Sequence, residues 1–148
     1  MSASGAEVLR SEEEARILVV DDEPEVVALL ADSLRQANPS WCVETETDPQ
    51  QALERLADED FDCLITDLVM SPVGGLRLAR EARSLDENLA LIAITGRGTL
   101  ENSIEAMRVG FADFLQKPFD LEETSQAISR TLRQRRQKEK RDKGEFRP

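Results

Sequence analysis

The sequence predicts a three-layer α/β fold, in which a parallel five-stranded sheet carries helices on both faces. Three observations predict it. Short apolar runs recur along the chain: Ile17-Leu18-Val19-Val20, Cys63-Leu64-Ile65-Thr66, Leu91-Ile92-Ala93-Ile94 and Phe111-Ala112-Asp113-Phe114-Leu115. Most are apolar throughout rather than alternating, the pattern of parallel strands buried on both faces. Between them lie segments with apolar residues at helical spacing, and the runs lead to polar residues, Asp21-Asp22, Asp67, Thr95 and Lys117. Open α/β sheets place their chemistry at these carboxyl ends.

Taken in order, residues 1–14 are small, polar and acidic, and read as a flexible acidic leader. A first strand spans about 16–20. The first helix has Pro24 in its first turn, with Val27, Leu30, Leu34 and Ala37 at helical spacing, and stops at Asn38-Pro39. Trp41 to Thr45 reads as a second strand. Asp48-Pro49 is a cap and first-turn pair for a second helix carrying Ala52, Leu53 and Leu56. The third strand ends at Asp67, and a loop through Gly74-Gly75 leads to a third helix with Leu78, Ala82 and Leu85 inward. A fourth strand covers about 89–94. The fourth helix starts near Thr99, is striped by Leu100, Ile104 and Met107, and closes at Val109-Gly110. The fifth strand covers about 111–115. Asp120 with Glu123 makes a capping-box-like start for the fifth helix, striped by Leu121, Ser125, Ile128 and Leu132.

Five βα units in a row, right-handed crossovers and one reversal of winding give the flavodoxin-like strand order 2-1-3-4-5. In that order the first and third strands are neighbours. Asp21, Asp22 and Asp67 then meet in one crevice, with Thr95 and Lys117 on one side.

The chain has 148 residues, a net charge of -11, 33% charged and 40% hydrophobic residues, and no histidine. It suits one domain with an ordinary core. No apolar run approaches a membrane span, and the start lacks the basic and apolar regions of a signal peptide, so a cytoplasmic location without membrane attachment is expected. Cys42 and Cys63 are expected to be buried reduced thiols. Their strands flank the first strand, too far apart for a disulfide, and two cysteines without histidine make no zinc site. Positions 130–148 hold nine Lys/Arg against three Asp/Glu, which leaves -17 on the rest of the chain. Direct nucleic-acid binding is not expected of so acidic a body, nor of a basic segment without interleaved aromatics or a reading motif.

Three converging carboxylates repel one another, and a divalent cation relieves the repulsion. Oxygen ligands favour Mg2+. An aspartate also serves as a phosphoryl acceptor, forming a mixed anhydride without a His, Cys or Ser base. Three oxygens of an incoming phosphoryl group would then be held by Mg2+, the Lys117 ammonium and the Thr95 hydroxyl.

Val19-Val20-Asp21-Asp22-Glu23-Pro24, Thr66-Asp67-Leu68-Val69-Met70, Ala93-Ile94-Thr95-Gly96 and Asp113-Phe114-Leu115-Gln116-Lys117-Pro118-Phe119 resemble the receiver domain of bacterial two-component response regulators. The resemblance covers residues 15–132 and looks closest to receivers of the nitrogen-regulation activator and nodulation-regulator kind. It implies that Asp67 accepts phosphate from a sensor histidine kinase or phosphotransfer protein. It implies Mg2+ held by Asp22, Asp67 and the Val69 carbonyl, with Asp21 acting through water. Lys117 would pair with the phosphoryl group, Thr95 would swing its hydroxyl to it, Phe114 would fill the space left behind, and the Lys117–Pro118 bond would be cis. The face of the fourth helix, fifth strand and fifth helix would then control an output domain or partner protein, and in many relatives it forms a homodimer. Such a module catalyses only its own phosphorylation and dephosphorylation. One departure is Ser71 ahead of Pro72, where a proline is expected directly after Met70.

Two other classes compete. A Mg2+-dependent phosphohydrolase with an Asp nucleophile usually carries a second acid in an Asp-x-Asp pattern, and here that position is Val69. A flavin-binding protein of the same fold needs a phosphate-cradling loop after the first strand, which Asp21-Asp22-Glu23 would repel. After Leu132 the apolar stripe ends, so residues 133–148 read as a basic tail or linker, able to extend the fifth helix but with no face to bury.

Overall fold

The computed structural model describes residues 14–68, 74–96 and 100–142, the last stretch with side chains from 104 to 141. Five strands, β1 (Ala15–Val20), β2 (Trp41–Glu46), β3 (Cys63–Asp67), β4 (Ala90–Thr95) and β5 (Asp113–Gln116), form one sheet. All pairings are parallel and the order is β2-β1-β3-β4-β5. The helices are α1 (Pro24–Ala37), α2 (Pro49–Asp58), α3 (Gly75–Leu85), α4 (Leu100–Val109) and α5 (Leu121–Asp142).

Strand alternation divides the core between the two faces. Ile17, Val19, Ile65, Ile92 and Ile94 pack with Leu30 and Leu34 of α1 and Ile128 and Leu132 of α5. Leu18, Val20, Leu64, Leu91 and Ala93 pack with Ala52 of α2, Leu78 and Ala82 of α3, and Ala106 of α4. The three central strands are therefore apolar on both sides, and any chemistry is confined to the sheet's two ends.

Local signals act as the sequence implies. The Asp48 carboxylate accepts the Gln50 N–H at 2.9 Å, and Asp120 accepts the Glu123 N–H at 3.0 Å. Gly110 takes φ 104, a conformation that suits glycine at a helix end.

Several expectations are corrected. Cys42 is exposed, because it lies on edge strand β2 on the face opposite Trp41 and Val43, with its Sγ 3.6 Å from Glu44 Oε2; only Cys63 is buried. Both thiols are free. Leu85 is 51% exposed at the very end of α3, and Ala37, the last residue of α1, is likewise exposed, while Ala31 takes the inward place. On α4 the large residues face out, Ile104 at 44% and Met107 at 69% exposure, while Ala106 is fully buried. A small side chain lets this helix lie close to the sheet. Leu121 is 40% exposed, and Thr124, Ala127 and Thr131 share the inward stripe with Ile128 and Leu132. The hydroxyls of Thr124 and Thr131 donate to the Asp120 and Ala127 carbonyls at 2.8 Å, which makes burial affordable for them. Phe111 precedes β5 rather than opening it.

The largest correction concerns the basic tail. Helix α5 runs on to Asp142 and does have something to bury beyond Leu132. The Arg135 guanidinium, 12% exposed, donates to Asp62 Oδ1 at 3.1 Å and to Glu139 Oε1 at 3.2 Å, with Asp86 Oδ2 at 3.8 Å. Arg136 donates to the Glu14 carbonyl. A charged group packs here where a search for apolar spacing finds nothing.

Candidate phosphoacceptor site

β1 and β3 are direct neighbours, with Val20 in register with Thr66, so the residues following each strand end emerge side by side. Asp21 is fully buried and Asp67 is 7% exposed. Asp21 Oδ1 accepts the Glu23 N–H at 3.0 Å, an Asx-type turn that starts the path into α1, while its own N–H donates to the Glu46 carbonyl at 3.3 Å. β4 and β5 bring the other members. Thr95 ends β4, is 5% exposed, and through its carbonyl accepts the Lys117 N–H at 3.1 Å. The next peptide bond, Lys117–Pro118, is cis.

The Lys117 ammonium is the centre of the site. Its Nζ lies 2.9 Å from Asp21 Oδ2, 3.0 Å from Asp67 Oδ2 and 3.3 Å from Glu23 Oε1. Burial works against the ammonium, but the close carboxylates of Asp21 and Asp67 outweigh it and hold Lys117 above the ordinary lysine range. The Asp21 Oδ2 contact is one of charges rather than an aligned hydrogen bond, so this buried oxygen has no hydrogen-bond partner. Buried carboxylate oxygens are normally satisfied, and one left over suits a hard cation.

Of the predicted residues, Asp21, Asp67, Thr95 and Lys117 come together, and Asp22 lies next to them on the exposed side. The Val69 carbonyl lies outside the described residues, as does Thr99. Phe114 is half-buried on β5, opposite Ala93, with its ring centroid 6.2 Å from that of Phe111. Among the described residues no three acidic, His or Cys side chains are gathered as a metal cage. Lys117 supplies the positive charge between Asp21 and Asp67. The donor chemistry nonetheless fits Mg2+, which needs only one or two carboxylates with other oxygens completing its shell.

Two contributors were not assigned from the sequence. Glu23 competes for the ammonium, and its place directly after the aspartate pair is the only signal for it. Gly75 sits against Asp67 itself: a Cβ at this position would lie 1.7 Å from the Asp67 carbonyl oxygen. The Gly75 N–H donates to the Leu68 carbonyl at 3.1 Å, folding the start of α3 back under the strand end. A side chain there would push Asp67 out of place.

Comparison with known proteins agrees with this geometry. The family model for the response regulator receiver domain matches residues 17–129. The response regulator MprA of Mycobacterium ulcerans is 35% identical over 118 residues, covering 80% of this chain and 50% of that protein. The response regulator ArlR of Staphylococcus aureus is 31% identical over 124 residues, covering 84% of this chain and 55% of that protein. The chain thus spans about half the length of the curated relatives it matches. A CheY-like receiver domain protein from Methanospirillum hungatei shares the fold, with a TM-score of 0.80 at 23% identity over 84% of this chain and 98% of that one. Proteins of this family generally bind Mg2+ at an aspartate site. The chain belongs to the response regulator receiver domain family, the signalling modules of two-component systems.

Proposed function

We propose that Asp67 takes a phosphoryl group from the phosphohistidine of a sensor histidine kinase or phosphotransfer protein. The phosphorus–nitrogen bond breaks as a phosphorus–oxygen bond forms to an Asp67 carboxylate oxygen, and the imidazole leaves, taking up a proton. Asp22, Asp67 and the Val69 carbonyl would hold Mg2+, with Asp21 acting through water, and the bound ion would supply positive charge to the transferring oxygens. Lys117 follows the developing charge on the phosphoryl oxygens, and Thr95 donates its hydroxyl to one of them. Phosphorylation adds about -1.5 to -2 charges and three acceptor oxygens. With Thr95 drawn inward, the Phe114 ring turns into the space behind it, and the α4–β5–α5 face selects an output domain, a partner protein or a second copy. The module works in the cytoplasm.

The observation that carries this reading is the ammonium of Lys117 at 2.9 and 3.0 Å from two carboxylates that end adjacent parallel strands. The test is intact mass after incubation with acetyl phosphate and Mg2+. Wild-type protein gains one phosphoryl group and Asp67→Asn gains none. Failure of the wild type to gain it from any donor sinks the proposal. Continuous phosphate release without labelled protein would return the chain to the hydrolase class.

A further inference from the structure

Helix α5 beyond Leu132 has two different edges. The inner edge is pinned: Arg135 is held by Asp62 and Glu139, and Arg136 by the Glu14 carbonyl. The outer edge carries Arg133, Gln137, Lys140 and Arg141, spaced so that all four lie along one helix face, and all are exposed. Lys138 flanks them. Elsewhere cations are mostly matched: Arg16, Arg55, Arg77, Arg80 and Arg130 each meet a carboxylate. Arg133, Lys138, Lys140 and Arg141 meet none among the described residues. Four unmatched cations on one short segment of a chain with net charge -11 are a patch out of keeping with the rest.

The patch constrains its partner. Residues 133–142 contain no apolar side chain, so no coiled-coil seam is available and recognition must run through charge. The helix is already formed and fastened, so a partner does not have to order it. Acidic groups lie close by: Glu87 shares a cavity wall of about 660 Å³ with Arg135 and Lys138, and Asp86 stands beside Arg135. A nucleic-acid duplex, with a phosphate charge about every 1.7 Å, would lay part of its charge over these acids. A short acidic protein segment can place its carboxylates on the outer edge alone.

We propose that residues 133–142 are a preorganised cationic docking helix whose partner is an acidic segment of another protein. The proposal does not rest on phosphorylation of Asp67 and is tested on unphosphorylated full chain. Binding of fluorescein-labelled dodecaglutamate is followed by anisotropy, with a labelled DNA duplex as the second probe. The expected result is saturable peptide binding that weakens with salt and falls about tenfold or more in R133E/K140E/R141E. The neutral triple R133Q/K140Q/R141Q, which keeps helix-forming residues, should fall in the same direction, while Arg77→Gln on α3 changes nothing. Absence of peptide binding, equal binding by both triple variants and wild type, or tighter binding of the duplex would each overturn the proposal.

Discussion

At the carboxyl ends of the strands a single ammonium, Lys117, faces Asp21, Glu23 and Asp67, and one buried Asp21 oxygen is left without a hydrogen bond. At the amino ends the balance is different. Arg16 meets Glu44 at 2.7 Å and also Glu59, its guanidinium stacks 4.4 Å above the Phe61 ring, and Asp62 accepts both the Arg16 N–H at 2.7 Å and Arg135. Arg55 doubles the contact with Glu44 and Glu59. Among the described residues, one end holds more carboxylates than cations. The other matches its charges and ties β1, β2, β3 and α5 together. The Asp21–Asp67 pair is thus mounted on a base held by ion pairs.

The comparison is broken most severely by Arg135→Ala, which takes the guanidinium away from the buried Asp62 carboxylate. The expected loss is about 3 kcal/mol in urea unfolding, with Arg135→Met recovering part of it by packing. Full recovery by Arg135→Met would mean that packing, not charge, holds the extension. At the opposite end Lys117→Met should cost about 1–2 kcal/mol at neutral pH, because Asp21 and Asp67 then face each other uncompensated. Added Mg2+ should restore more stability to this variant than to the wild type. Lys117 lies above its unfolded value, so its contribution is whole below the ordinary lysine range, near pH 10, and is lost as pH rises through the folded value. The difference between wild type and variant should therefore be flat from pH 7 to 9. The smallest effect is expected of Glu44→Gln. The hydrogen bond from Arg16 holds Glu44 below its ordinary value, so its stabilisation is present above about pH 4.3 and is lost as pH falls through the folded value. With a quarter of the side chain exposed, water screens the interaction to about 1 kcal/mol or less. Thermal melts across pH 3–7 would show wild type and variant converging at the acid end.

Strand order and four of the site residues were legible because both rest on strong regularities. Short apolar runs bounded by turn residues fit buried strands, and polar residues that end them collect at one edge. Asp22 was placed beside that cluster for the same reason. What escaped rests on competition between alternatives of similar pattern. On α4 both the Ile104–Met107 stripe and the narrower Ala106 face have helical spacing, and shape rather than hydrophobicity decided between them. Cys42 sits in a run that looks like a buried strand, but edge position is a property of the whole sheet. Arg135 reads as one cation in a basic tail, and only the fold shows that Asp62 and Asp86 lie within its reach. Gly75 reads in the sequence only as part of the loop before the third helix, and its close approach to the Asp67 carbonyl shows only in the fold.

The two cysteines differ in a way that has a practical side. Cys63 is fully enclosed, and burial pushes its thiol well above the ordinary range, while Cys42 stands open on the sheet margin. The folded chain therefore offers thiol-directed dyes and spin probes a single natural handle, away from Asp67, with no engineering required.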